Sequence, residues 1–269
     1  MTKILKLPRV TYFSSKDKNF FLFCGDCIEI LSEFPEKCVD MIFADPPYFL
    51  SNGGISCHAG KMVSVHKGDW DKSQGIDKDY EFIKQWLTAC QRVLKDNGTI
   101  WVSGTNHVIY TVGYAMHELG FKMLNDIVWF KRNAPPNLSC RYFTHSTETI
   151  IWAAKNKKSK HYINMPLMKE LSNTGQAFNL WNIPITRHKT PHPTEKPESL
   201  MERIVLIGSR EGDIILDPFM GSGTTGTVAR RWKRRFIGIE MDRGYIKMAK
   251  DRIKEAKAQN KAVCPSPGN

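Results

Sequence analysis

Seven short apolar runs alternate along this chain with segments of helical periodicity, and few architectures can absorb that pattern. The runs are Phe20 to Cys24, Val39 to Ala44, Thr99 to Ser103, Asp126 to Phe130, Thr147 to Ala153, Ile214 to Leu216 and Phe236 to Ile239, each short enough to read as a buried strand. Between them, Ile83, Trp86, Leu87, Cys90, Val93 and Leu94 keep a three-four spacing. Leu200, Ile204 and Ile207 repeat it in a segment that Pro197 can open as the first helical residue. The alternation predicts an α/β fold: seven strands in a mostly parallel sheet with helices on both faces. It breaks once. After Gly120 two strands follow with no helix between them, which predicts one antiparallel hairpin at the sheet's edge.

A chain of 269 residues with 41% hydrophobic content can bury one sizeable core, so residues 1–269 are expected to form one domain. Two segments interrupt the pattern as loop-like insertions, 49–78 and 155–194, and the Pro/Ser/Gly tail from Val263 is expected to fray. No apolar run reaches membrane-spanning length and Met1 to Leu7 lacks the apolar stretch of a signal peptide, so a cytoplasmic protein without membrane contact is the expectation. The seven cysteines are irregularly scattered, unlike a secreted disulfide framework. Cys24 and Cys27 form a C-x-x-C, but neither a second such pair nor a spaced pair of histidines accompanies it, and no metal site is expected.

The formal charge of +12 points to a polyanionic partner. It is concentrated. Lys155 to Lys196 holds eight Lys/Arg against two Glu, and Arg230 to Lys261 holds twelve against four acids, leaving the remainder slightly acidic. In the second span Lys247, Lys250, Lys254, Lys257 and Lys261 lie opposite Ile246, Ala249 and Ile253 at helical spacing, so they also fit a solvated helix face. The first span offers no such account of its lysines.

Ligands of open α/β sheets collect where strands end at their carboxyl edge, and three runs end unusually. "MIFADPPY" closes on Asp45, Pro46, Pro47 and Tyr48. "IILDPFMGSGTTG" closes on Asp217 and a glycine turn in which Gly221 and Gly223 let the backbone approach a ligand before a helix N-terminus. No Lys follows the last glycine as a phosphate-binding loop needs, so a nucleoside without polyphosphate fits better. "RRFIGIEMD" puts Glu240 where a carboxylate can accept both hydroxyls of a ribose.

Taken in order, Gly25-Asp26, "DPPY" at Asp45 to Tyr48, "HPTEKP" at His192 to Pro197 and "DPFMGSGTT" at Asp217 to Thr225 resemble the β-class amino-methyltransferases of DNA, over roughly Phe21 to Ala256. The resemblance implies a Rossmann-like, SAM-dependent methyltransferase fold with S-adenosylmethionine as methyl donor. It also implies that Asp217, Phe219, Gly221, Gly223 and Thr224 line the methionine side of the cofactor, beside Asp45. Glu240 would hold the ribose, Asp26 face the adenine, and Thr194 and Lys196 sit near the carboxylate. Glu195 stands where many relatives have Gln.

The same tetrapeptide has a chemical reading. An exocyclic amino group is a poor nucleophile because its lone pair is delocalised into the ring, and positive charge grows on its nitrogen as it attacks a sulfonium methyl. It needs acceptors and no competing donors. Asp45 and the Pro46 carbonyl accept, the two prolines carry no N–H, and Tyr48 is expected to offer a stacking face to an extruded base. Asp45, Pro46 and Tyr48 are thus the expected catalytic residues.

Double-stranded DNA is the expected partner; single strands and a second copy of the chain remain open. Lys61, His66 and Lys67 of the first insertion, and Lys157, Lys158 and Lys160 of the second, are the expected DNA contacts, with residues 49–78 embracing the duplex and 155–194 recognising the target. The linker Lys131 to Phe143 also qualifies. By likeness, Asp at the head of the tetrapeptide favours adenine N6 over cytosine N4. "DPPYFLSNGGISCHAGKMVSVHKGDWD" and "LMKEL" resemble relatives of GATC restriction-modification systems. A non-catalytic DNA-binding subunit is the alternative of another class, and an RNA methyltransferase a further one.

Overall fold

A computed structural model describes residues 11–50, 55–58, 61–64, 71–137, 139–171, 176–185 and 195–258. The strands are β1 (Phe13–Ser14), β2 (Phe20–Cys24), β3 (Val39–Ala44), β4 (Ile55–His58), β5 (Lys61–Ser64), β6 (Leu94–Gly104), β7 (Lys122–Phe130), β8 (Thr147–Ala154), β9 (Leu180–Asn182), β10 (Ile214–Asp217) and β11 (Arg235–Glu240). The helices are α1 (Cys27–Ser32), α2 (Ile76–Val93), α3 (Ile109–Glu118), α4 (Met165–Glu170), α5 (Glu198–Gly208), α6 (Thr224–Arg231) and α7 (Arg243–Glu255).

All seven expected strands are present, in a nine-stranded sheet of order β1-β2-β11-β10-β3-β6-β8-β7-β9, so the strand count is corrected upward. The additions, β1 and β9, cover the two edges and are two and three residues long, too short to show a periodicity of their own. β4 and β5 pair only with each other, inside what the sequence shows as a loop. The expected hairpin forms between β7 and β8, yet not at the edge, because β9 adds in parallel beyond β7. β8 runs antiparallel to both of its neighbours, β6 and β7.

Residues alternate across the sheet as a two-residue period requires. From β3, Ile42 and Ala44 face one core with α1, α2 and α3, while Met41 and Phe43 face the other with α5, α6 and α7. The three-four spacing of α2 is the reason it lies where it does: Ile83, Trp86, Leu87, Cys90 and Val93 are all buried. Pro197 caps α5 and Glu198 is its first residue, one position later than the sequence predicts. Cys27 is buried in the first core, which pushes its thiol up to about 12, and Cys24 is half-buried.

Part of the second basic span is paired within the fold. Arg231 pairs with Glu198 at 2.9 Å and Glu202 at 2.7 Å, Arg252 with Glu195 at 2.6 Å, and Arg234 is buried against Ser209.

Candidate active site

Four parallel neighbours, β2, β11, β10 and β3, end side by side, so chain direction alone brings Asp26, Glu240, Asp217 and Asp45 to one rim. In front of them lies a cavity of about 540 Å³, within the usual range for small-molecule sites. Gly25, Asp26, Asp45, Pro46, Pro47, Tyr48, Phe219, Gly221 and Glu240 line it.

Each carboxylate has a distinct environment. Asp26 caps α1, its Oδ1 accepting from the Ile28 and Glu29 N–H groups at 2.7 and 3.1 Å. Glu240 accepts from Gly221 N–H at 2.8 Å and Asp242 N–H at 2.9 Å, and burial raises its pKa. Every carboxylate oxygen has two lone pairs, so Glu240 retains capacity for hydroxyl donors. Phe219 meets Trp86 edge-on at 5.4 Å and completes an apolar wall.

Asp217 plays a different part from the expected one. Its side chain turns away from the cavity, accepting from Thr225 Oγ1 at 2.6 Å and Phe219 N–H at 3.1 Å, and burial raises its pKa to about 7. It fixes the glycine turn instead of lining the cofactor space. Gly223 and Thr224 lie at the junction of the turn with α6. Gly223 has φ 82°, and a Cβ there would stand 2.7 Å from Ala249 Cβ, so close packing of α6 on α7 demands this glycine. Gly221 lines the cavity.

The acceptor turn is held by a residue that the sequence does not single out. Asp71 is fully buried and its carboxylate accepts from the N–H groups of Tyr48, Phe49 and Leu50 at 2.8, 2.9 and 3.2 Å. After two prolines without donors, the next three donors converge on one side chain. That arrangement supports Phe49 at φ 57°, an uncommon conformation for a residue with a Cβ.

Donors do approach Asp45, contrary to the donor-free pocket the sequence predicts. Tyr48 Oη donates to Asp45 Oδ1 at 2.6 Å, and Lys196 Nζ donates to Asp45 Oδ2 at 2.7 Å and to Tyr48 Oη at 3.0 Å. Lys196 therefore sits against Asp45 and Tyr48, two residues of the cavity wall. Tyr48 is 6% exposed, with the Lys196 ammonium 5.3 Å from its ring centroid, so in this arrangement the ring is no open stacking platform. Glu148, at the start of β8, lies 3.5 Å from Lys196 and 3.1 Å from Lys131. Burial opposes the Lys196 charge, but Asp45, Glu148 and Tyr48 outweigh it and hold the ammonium well above the usual lysine value. Burial likewise opposes the Glu148 charge, and Lys196 and Lys131 overcome it, lowering its pKa.

Of the expected DNA contacts, Lys157, Lys158 and Lys160 lie away from this rim. β8 is reversed, so its first residues lie beside the site and its last residues at the opposite rim, where Thr99 pairs with Ala154. Lys157, Lys158 and Lys160 come next in the chain there; Ser159 Oγ donates to the Asp96 carbonyl and Lys160 N–H to Asn97 Oδ1. Five strand positions, roughly 17 Å, separate the two ends. Lys61 belongs to β5. His66, Lys67, His192 and Thr194 fall outside the described residues. Glu195, the departure from the usual Gln, pairs with Arg252 of α7.

The sequence pattern of a DNA methylase family matches residues 39–251. The chain belongs to that family. It is 53% identical over 241 residues to the Type II methyltransferase M2.DpnII of Streptococcus pneumoniae, covering 88% of this chain and 90% of that one. Identity to M2.LlaDCHI of Lactococcus lactis subsp. cremoris is 52% over the same length, with the same coverage. The crystal structure of the M1.HpyAVI–SAM complex superposes with a TM-score of 0.66 at 29% identity, covering 87% of this chain and 98% of that one. This DNA methylase is an α/β SAM-dependent methyltransferase, and S-adenosylmethionine is its cofactor. The cavity fits that molecule: carboxylates Asp26 and Glu240 suit adenine and ribose donors, and Phe219 with the Gly221 backbone suits the methionine chain.

Proposed function

We propose that this DNA methylase transfers a methyl group to N6 of adenine in a short DNA site, GATC, as the modification enzyme of a restriction-modification system. The observation that carries the reading is the convergence of Asp45 and Pro46 on the cavity rim, on a turn whose next three N–H groups are all taken by Asp71. In this reading Asp45 and the Pro46 carbonyl accept hydrogen bonds from the amino group, drawing its nitrogen towards a tetrahedral shape and stabilising its growing charge. S-adenosylmethionine supplies an electrophilic methyl on a sulfonium. Asp26, Phe219, Gly221 and Glu240 hold its nucleoside and chain, and Asp45 stands at the boundary between the two reactants. The target base must leave the duplex to reach this depth, at a cost of a few kcal/mol that single-stranded DNA avoids.

The proposed DNA face is the rim itself. The linker between β7 and β8 exposes Arg132, Arg141, Tyr142, Phe143 and His145 beside the site, mixing cations for phosphates with aromatic faces for bases. The embracing role of 49–78 and the recognition role of 155–194 belong to the same proposal, with Lys157, Lys158 and Lys160 left out of the catalytic face. No helix among the described residues is long and apolar enough to cross a membrane, and a cytoplasmic location, where the chromosome is, completes the reading. The relatives named M2.DpnII and M2.LlaDCHI support the restriction-modification setting.

Methyl transfer from labelled cofactor to duplex and single-stranded DNA, followed by mass spectrometry of the nucleosides, tests it. N6-methyladenine within GATC is the expected product. N4-methylcytosine as sole product overturns the base assignment, and transfer to RNA in preference to DNA overturns the substrate.

A further inference from the structure

Each oxygen of Asp45 already accepts from one of the chain's own donors, which weakens it as an acceptor for an amino group, and the structure holds an alternative acceptor for each of those donors. Tyr48 Oη lies 2.6 Å from Asp45 Oδ1 and 3.4 Å from Glu148 Oε2. Lys196 Nζ lies 2.7 Å from Asp45 Oδ2 and 3.5 Å from the same Glu148 oxygen. One hydroxyl and one ammonium thus stand between two carboxylates. Shifts of about 0.7 Å bring either donor to ordinary hydrogen-bond distance of Glu148.

We propose that Glu148 is a positioning residue that takes over the Tyr48 hydroxyl and the Lys196 ammonium when an amino group arrives, so that Asp45 is released to accept it. The geometry suits that transfer. Glu148 comes from β8 and Asp45 from the turn after β3, so the acceptors are carried by different strands, and Lys196 approaches both from the segment preceding α5. Lys131, just past β7, holds the other oxygen of Glu148 at 3.1 Å and keeps its carboxylate turned towards the site. The four charges of Asp45, Glu148, Lys131 and Lys196 sum to zero before and after the shift, so it exposes no uncompensated buried charge. No proton changes its owner; only the acceptors exchange.

The proposal rests on an exocyclic amino group as methyl acceptor, and charge against shape decides it. Glu148→Gln keeps the shape and loses the charge; Glu148→Asp keeps the charge on a shorter stem. The expected result is that Glu148→Gln lowers kcat at least about tenfold, while KM for DNA and Kd for S-adenosylmethionine stay within about twofold, since the lost effect acts at the reacting nitrogen. Glu148→Asp should retain more activity than Glu148→Gln. A Gln variant as active as the natural protein, or a Gln variant better than the Asp variant, overturns the proposal in favour of a packing role. Should Glu148→Gln fail to fold, Lys131→Met decides. With its anchor and its charge balance removed, Glu148 receives the two donors less well, so kcat is expected to fall several-fold with Kd for S-adenosylmethionine nearly unchanged, and Lys131→Arg to retain more activity; an unchanged kcat in Lys131→Met overturns the idea. If the natural protein methylates no DNA, the broader reading has failed instead.

Discussion

Asp45 and Asp217 are both acids at the ends of parallel neighbours, yet the chain uses them oppositely. Asp45 lines the cavity and accepts from Tyr48 and Lys196. Replacing it by Ala removes an acceptor but leaves Lys196 its partner Glu148, so Asp45→Ala should abolish methyl transfer while cofactor affinity, measured by calorimetry, stays close to the natural value. Substantial residual transfer counts against the assigned role. Asp217 is locked behind the glycine turn, with its pKa raised by burial from 3.8 to about 7. A folded-state pKa above the unfolded value means that the native chain binds the extra proton between those limits. This group therefore makes stability fall as pH rises from 3.8 towards 7, by up to about 1.4 kcal/mol per pH unit. Urea unfolding of Asp217→Asn at several pH values should show that slope removed. Both acids are legible in the sequence as rim residues. Which of them faces the ligand is not, because it depends on Thr225 and Phe219 turning Asp217 inward. Asp71 is hidden for a related reason: its partners lie more than twenty residues back in the chain, and nothing local to it marks the contact.

At the scale of elements, apolar runs and three-four spacings suffice to locate strands and helices that own a hydrophobic face. They fail for β1 and β9, whose order comes from pairing with an existing edge. The direction of β8 has the larger consequence. A hairpin is legible in the sequence, but reversal of one strand sends the residues after it to the far rim, so Lys157, Lys158 and Lys160 are near the site in sequence only. The same reversal sets the linker between β7 and β8 beside the site. Phe143, 96% exposed there, sits on a loop fastened by Asn137 donating to the Tyr142 carbonyl and by Asn133 and Ile185 exchanging hydrogen bonds. Phe143→Ala should leave the melting temperature unchanged, because the ring covers little of the fold. It should weaken DNA binding by about 1 to 3 kcal/mol, the value of one stacked base, as read by fluorescence anisotropy. Unaltered affinity would remove this loop from the proposed DNA face.

For the molecule as a whole, net charge predicts the kind of partner better than its position. Of the two basic spans, one is partly neutralised by Glu195, Glu198 and Glu202, and the other opens at the rim away from the site. Phosphate contacts made at the catalytic rim should still give salt-dependent binding, with a log–log slope of about −0.9 per contact on duplex and about −0.7 on single strands. A titration of affinity against ionic strength measures it, and a flat response contradicts an electrostatic DNA face.

Asp71 closes the excursion that leaves the catalytic turn at Leu50, fastening its return to its departure through three backbone donors. A segment buttoned at its root can be exchanged, lengthened or rewritten without disturbing the carboxylate that precedes it. The proposed DNA-embracing loop can then differ among such enzymes with no change in the transfer chemistry.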